Sequence, residues 1–395
     1  MPKSIEHLRI HFYGVQGSGS TFPSTKEIDD LIALTDYELL KAVFQDIAER
    51  SDRDQSFECS IPDIIGGPTD KNTMLAYRDR LNIPPPRIYG GLTTCFHIET
   101  SDGYDIVIDC GSGFRNCAKE LELKWGDTNE RHLYILGSHS HSDHTEGFDQ
   151  AAVCFDPRNS IYIYANYQYL YALDSYLGIF SKYVEEDVAG LKTPIDFSLM
   201  PAEFTAVEIR NLSKPFTGGK GGFEAAEIHE LNTPIVIGET RITPFEVYHQ
   251  APCLGYKFEH HGKTFVFCTD HELRHGPDPE DPRQKASEEA EARLSEHAYG
   301  ADALYRDGQF LRSEYEGRTG IGSSAAVPRV DWGHSCIEDV KHMARKCHVK
   351  RAFIGHHDPN REWSDLNWID ESLLRDSEDE ESKVELARGG FVLDL

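Results

Sequence analysis

Short runs of apolar residues, many alternating with polar ones and bounded by glycine or charged pairs, dominate the chain and predict β-strands. The first covers residues 8–15 (LRIHFYGV) and runs into a Gly/Ser turn over 14–20. Further strands are predicted at 94–99, 104–109 (YDIVID), 132–136 (HLYIL) and 161–165 (IYIYA), with Asp102-Gly103 turning the first two into a hairpin. Two hairpin-like pairs follow at 235–248 and 254–269, the second turning at His261-Gly262-Lys263. Residues 351–355 and 390–395 read as late strands.

Helical spacing interrupts this pattern. Residues 29–50 (DDLIALTDYELLKAVFQDIAER) carry apolar side chains at helical intervals, and the segment closes on the rigid run Pro84-Pro85-Pro86. It predicts a largely helical insertion, 23–86, inside a single domain spanning 1–395. Helices are also predicted from about 145, at 167–184, at 337–347, and over SEEAEARLSEHA with Ser287 as its cap. The charged, Pro-containing stretch 274–283 reads as a loop. Strands with interleaved helices and no internal repeat suit two sheets with helices packed outside, an α/β sandwich.

Composition adds limits. With 39% hydrophobic and 11% aromatic residues among 395, the chain can bury a substantial core. A net charge of −27 without a Lys/Arg block disfavours nucleic-acid backbones and anionic membranes as partners. The acidic run 376–381 reads as a solvated loop. Nine scattered cysteines without a CxxC pair are expected to be reduced core residues. No apolar leader core or bilayer-length apolar stretch is evident, so a cytoplasmic location is expected.

The chemistry concentrates in residues 136–147, LGSHSHSDHTEG. At this composition an H-x-H-x-[D/E]-H pattern arises by chance only about 0.007 times per chain. Imidazoles and carboxylates are the donors that zinc and similar ions prefer. Just after a buried strand, His139 and His141 can serve one point, and Asp143 and His144 a second a few ångströms away. Two adjacent metals suit phosphodiester hydrolysis. Further donors stand at strand ends: His249 after EVY, Asp270 after FVFCT and His356 after AFIG. Singly each is weak, because a lone His or Asp there is more often a loop residue. Together they form a coherent set.

With these motifs in hand, the chain resembles the metallo-β-lactamase superfamily, and within it the phosphodiesterase-like branch that includes RNase Z and the carbon–phosphorus-lyase cyclic phosphodiesterase. GVQGSGSTFP is similar to that branch's GVRGSIP opening, YGGLTTC to YGGNTSC, and IVIDCGSGFR to its Asp-x-Gly-x-Gly turn. SHSHSDHTEGF, YHQAPCLGYKFE, FCTDHE, DGQFLRSEY, WGHSCIEDV and FIGHHDP follow in family order. The resemblance implies a four-layer αββα sandwich and a dinuclear hydrolase acting on a small, possibly cyclic phosphodiester through a metal-bridging hydroxide. His139, His141 and His249 would hold one metal, and Asp143, His144 and His356 the other, with Asp270 bridging. Asp143 and His334 carry the catalytic roles, His334 assisting the leaving group unless it only caps the following helix. Asp109 would orient a ligand histidine, and His357 is the alternative to His356. Zinc fits, with manganese or iron tolerated.

Departures concern substrate contacts. Leu92 stands where the branch has Asn, and Gln16 and Gly19 replace Arg and Ile of GVRGSIP. His141 argues against the di-iron relatives, which carry Glu there. The absence of a Thr-Pro-Gly-His-Thr motif argues against thioesterases, sulfur dioxygenases and lactamases. An RNase Z-type nuclease and a non-catalytic metal sensor remain the alternatives, and a homodimer is an open possibility.

Overall fold

The computed structural model describes residues 7–23, 25–50, 60–81, 83, 87–183, 195–214, 224–378 and 380–395. The proline run 84–86 and Cys59 lie outside them. The chain divides into two compact units, residues 22–87 and the remainder.

In chain order the elements are β1 (Leu8–Gly14), α1 (Thr25–Arg50), α2 (Ile61–Ile65), α3 (Lys71–Arg80), β2 (Cys95–Thr100), β3 (Asp105–Ile108), α4 (Phe114–Trp125) and β4 (Arg131–Leu136). There follow β5 (Asn159–Ala165), α5 (Tyr167–Leu177), β6 (Glu203–Arg210), β7 (Glu227–Glu230), β8 (Ile235–Ile237), β9 (Thr240–Val247), β10 (Cys253–His260) and β11 (Lys263–Cys268). The chain continues through α6 (Pro282–Ala298), β12 (Ala303–Asp307), α7 (Arg312–Tyr315), α8 (Ile337–Lys346), β13 (Arg351–Gly355), α9 (Trp363–Asp376), β14 (Lys383–Leu386) and β15 (Val392–Asp394).

One sheet has the order β15-β1-β2-β3-β4-β5-β6-β7 and the other β14-β13-β12-β11-β10-β9-β8. Strands β3 to β7 run parallel, as do β11 to β14, while β1–β2–β3 and β8–β11 are antiparallel. Alternation assigns the faces. Ile10, Phe12, Phe96, Ile108, Phe267 and Tyr305 fill the space between the sheets. Leu133 and Ile163 face outward onto Phe114, Leu121 and Leu170 of α4 and α5. Leu304 and Ile354 face outward onto Leu294, Val340 and Leu373 of α6, α8 and α9. The result is the helix–sheet–sheet–helix sandwich.

The unit 22–87 contains α1, α2 and α3. Within it Ile64, Ile65 and Tyr77 form a small core with Val43 and Leu81, and the Tyr77 hydroxyl donates to Asp46 at 2.7 Å.

Some local expectations fail for identifiable reasons. Ser287 does not cap a helix, because Asp281-Pro282 begins α6 earlier, with Asp281 accepting from the Arg283 amide. Ser287 instead lies inside α6, accepts from Arg274 N and donates to Glu272 O. The segment after residue 145 forms short 3-10 turns, not an α-helix. Helix α5 stops at Gly178, whose left-handed φ of 62° ends it ahead of 184. All eight described cysteines are free and buried. No helix among the described residues is long and apolar enough to cross a membrane.

Candidate metal centre

The parallel strands and β9 release their carboxyl ends toward one edge of the sandwich, the usual position for chemistry in such sheets. Asp109 follows β3, the segment 138–144 follows β4, and His249, Asp270 and His356 follow β9, β11 and β13. Three of these turn sharply there: Asp109, Asp270 and His356 have φ of 58°, 21° and 59°. Left-handed backbone at non-glycine residues is costly and clusters at functional sites. Two glycines admit the rings: a Cβ on Gly17 would stand 2.2 Å from Nδ1 of His356, and one on Gly333 2.4 Å from Nδ1 of His249.

The side chains converge as two groups sharing one carboxylate. His139, His141, His249 and Asp270 form one, and Asp143, His144 and His356 the other. Oδ2 of Asp270 lies 3.3 Å from His139 Nε2 and 3.8 Å from His249 Nε2, whereas Oδ1 lies 3.2 Å from His144 Nε2 and 3.0 Å from His356 Nε2. Asp143 Oδ2 is 3.5 Å from His144 Nε2 and 3.3 Å from His356 Nε2. Donors bound to one zinc at about 2.1 Å are separated by about 3.4 Å along tetrahedral edges. The spacing therefore fits metal ions, and Asp270 offers one oxygen to each group.

The polar accounting agrees. His139 Nε2, His144 Nε2 and both ring nitrogens of His356 are buried without a hydrogen-bond partner, a costly arrangement unless the lone pairs have another use. Burial holds His139 well below its ordinary pKa, helped by positive charge on His144, and takes His249 down to about 4 against the pull of Asp270. Both are held neutral, the form in which an imidazole can take a metal. At His144 burial opposes charge, but Asp270, Asp143 and Asp109 together drive its pKa well above the ordinary value. Such a concentration of carboxylates calls for positive charge, which a divalent cation provides. The donor set suits a divalent metal.

Supporting contacts fix the donors. Asp109 Oδ2 is 2.7 Å from His144 Nδ1 and accepts from Ser138 Oγ at 2.6 Å. His249 Nδ1 donates to Gly333 O at 2.9 Å, leaving Nε2 for the cluster. The Ser18 amide donates to Asp143 Oδ2 at 2.8 Å. His357 turns away and pairs its Nε2 with Ala387 O at 2.9 Å.

His334 lies beside the cluster, its ring stacked 4.6 Å from that of His356. Its Nδ1 is 2.8 Å from Oδ2 of Asp307, the buried last residue of β12. Burial disfavours the imidazolium, but Asp307 outweighs it and pushes the pKa up to about 9. Sequence reasoning missed Asp307, although an acid closing the short strand ALYR was a usable signal. It also missed buried Glu272, which accepts from the Asp331 and Gly333 amides at 2.8 and 2.9 Å and so holds the loop carrying His334. No short-range pattern announced that clamp.

A cleft of about 710 Å³ opens over the donors, lined among others by Ser18, Gln309, Asp331, Trp332, His334 and Asp358.

No family model and no curated protein matches the chain. Among solved structures, zinc-bound PqqB from Methylobacterium extorquens superposes with a TM-score of 0.51 at 13% identity, over 98% of this chain and 100% of that one. The chain has the metallo-β-lactamase fold. Another structure of the metallo-β-lactamase fold, YhfI from Bacillus subtilis, aligns at 11% identity with a TM-score of 0.48, over 99% of this chain and 100% of that one. At such identities the metallo-β-lactamase likeness concerns architecture, and the chemistry rests on the residues above.

Proposed function

We propose that the protein is a dinuclear metal-dependent phosphodiesterase acting on a small phosphodiester. The observation that carries this reading is the division of Asp270 between two donor groups, with the Nε2 atoms of His139, His144 and His356 left unpartnered around it. His139, His141, His249 and Asp270 would hold one ion, and Asp143, His144, His356 and Asp270 the other. Zinc suits this nitrogen and oxygen set, and manganese or iron would be tolerated. When bound, such ions supply Lewis acidity and activated water.

The chain's own residues divide the remaining work. Asp143 takes the Ser18 amide on Oδ2, which fixes its carboxylate at the cluster. Asp307 holds Nδ1 of His334 and leaves Nε2 available to the cleft, where it can give a proton to the departing oxygen. Asp109 and Ser138 orient His144. No Lys or Arg is among the described residues lining the cleft, which favours one small phosphodiester over an RNA backbone.

The test is turnover by zinc- or manganese-loaded protein of bis(p-nitrophenyl) phosphate, a glutathione thioester and a chromogenic β-lactam at matched concentration. Phosphodiester hydrolysis should dominate. Faster thioester or lactam turnover would reject the assignment, and metal binding without any turnover would favour a sensor.

A further inference from the structure

Trp332 is 50% exposed and lines the cleft, two residues before His334. An isolated surface tryptophan needs no explanation, but this one is held in place. The Arg329 guanidinium lies 5.6 Å from its ring centroid, and the ring of Phe310 meets it edge-on at 6.5 Å. Arg329 is itself buried and donates to Glu314 O at 2.7 Å and to Val327 O at 3.2 Å, so it cannot swing away to solvent without losing both. The backbone is fixed as well: the Trp332 amide donates to Arg329 O at 3.1 Å, and the Glu272 carboxylate holds the amides on either side, at Asp331 and Gly333. One part of the indole is therefore backed by a cation and an aromatic ring, while the rest is presented to the cleft.

We propose that Trp332 is a specificity-determining platform on which a planar, unsaturated ring of the substrate stacks while its phosphate sits at the His/Asp donors. This deepens the phosphodiesterase reading and rests on it for the phosphate. The remaining lining supports a ring over further charge. No Lys or Arg is among the described residues lining the cleft, and Asp331 beside the platform is already paired with Arg274 at 2.7 Å and Arg283 at 2.9 Å, so this wall offers a second phosphate no free Lys or Arg, whereas the open indole face suits a neutral heteroaromatic group. The site thus takes a nucleotide-like ester with one phosphate and one base.

The experiment compares adenosine 5′-monophosphate with ribose 5-phosphate, which lacks the base, by titration calorimetry on the full zinc-loaded chain. Stacking of one base predicts that the nucleotide binds about tenfold or more tightly than the sugar phosphate. Trp332→Ala should remove most of that ratio, and Trp332→Phe should keep much of it, with zinc content measured on each variant. A ratio within about twofold of one in the wild type, a ratio unchanged in Trp332→Ala, or no binding of either compound would overturn the platform. Failure of the phosphodiesterase reading shows separately, as an intact binding ratio in a protein that hydrolyses no phosphodiester.

Discussion

Replacing His334 with alanine separates chemistry from scaffolding. If His334 protonates the leaving oxygen, its loss lowers kcat by about 10²–10⁴, equivalent to about 3–5 kcal/mol at the barrier. The structural cost should be modest. Asp307 would lose its 2.8 Å ring partner but keep the Gln309 amide at 3.0 Å and the His271 amide at 3.3 Å. A buried acceptor that keeps some of its bonds costs about 1–3 kcal/mol. At about 2.1 cal/mol/K of unfolding entropy per residue, a chain of 395 residues shifts Tm by only about 1–4 °C for that amount. The assay is kcat and kcat/KM on two phosphodiesters, one releasing p-nitrophenolate and one releasing an alkoxide, with metal content and Tm measured in parallel. The loss should be large for the alkoxide and shrink for p-nitrophenolate, which needs little protonation. An equal loss on both substrates, or a fall below about threefold on the alkoxide ester, refutes the role. A large drop in Tm with a flat leaving-group response would make His334 structural.

Elemental analysis of protein expressed with zinc and manganese should give close to two divalent ions per chain, and chelation should remove them together with activity; no stoichiometric metal would count against the site. Gly17→Ala should displace His356, whose ring the new Cβ would meet at 2.2 Å, and bring metal content from two toward one, as read by mass spectrometry of the native protein. Undiminished content would show that the ring can yield without loss. Asp105, buried yet held at a pKa of about 2 by His97 and Lys124 against the opposing effect of burial, gives a pH signature. A depressed carboxylate pKa adds stability that is full above the unfolded value of 3.8 and is lost as pH falls toward 2. Urea unfolding between pH 5 and 2.5 should cost the wild type about 1.5 kcal/mol more than Asp105→Asn, and parallel losses would contradict the assignment.

The parts of this site written locally were legible, and those made by tertiary contact were not. The segment 139–144 carries four donors in six residues, so spacing alone exposed it. His249, Asp270 and His356 were suggested by their places after apolar runs, and the fold brings all three to that segment. Asp307 sits in a similar place, yet nothing in the sequence near it names its partner 27 residues on. Glu272 is more opaque still, since its function is to accept amides 59 and 61 residues away. Trp332 lies within the WGHS segment, but its value depends on Arg329 behind it, which only packing reveals. The misplaced cap of α6 shows the converse: Ser287 followed by two acids imitates a helix start, and a stronger Asp-Pro start upstream takes precedence.

The donors also differ in how the chain delivers them. Those at 139–144 stand in one loop of the first sheet, while those at 249, 270 and 356 come from the second, more than a hundred residues later. A folding chain would thus offer at most a partial nest once the first sheet exists, and the proposed site is complete only when the second sheet closes against it. A metal held there would work as a rivet across the seam. Its free energy of binding opposes separation of the sheets, so stripping it should loosen this edge first while the aromatic interior around Phe96 and Tyr305 persists. Hydrogen exchange in the apo protein would accordingly quicken at the ends of β4, β11 and β13 well before it reaches their middles.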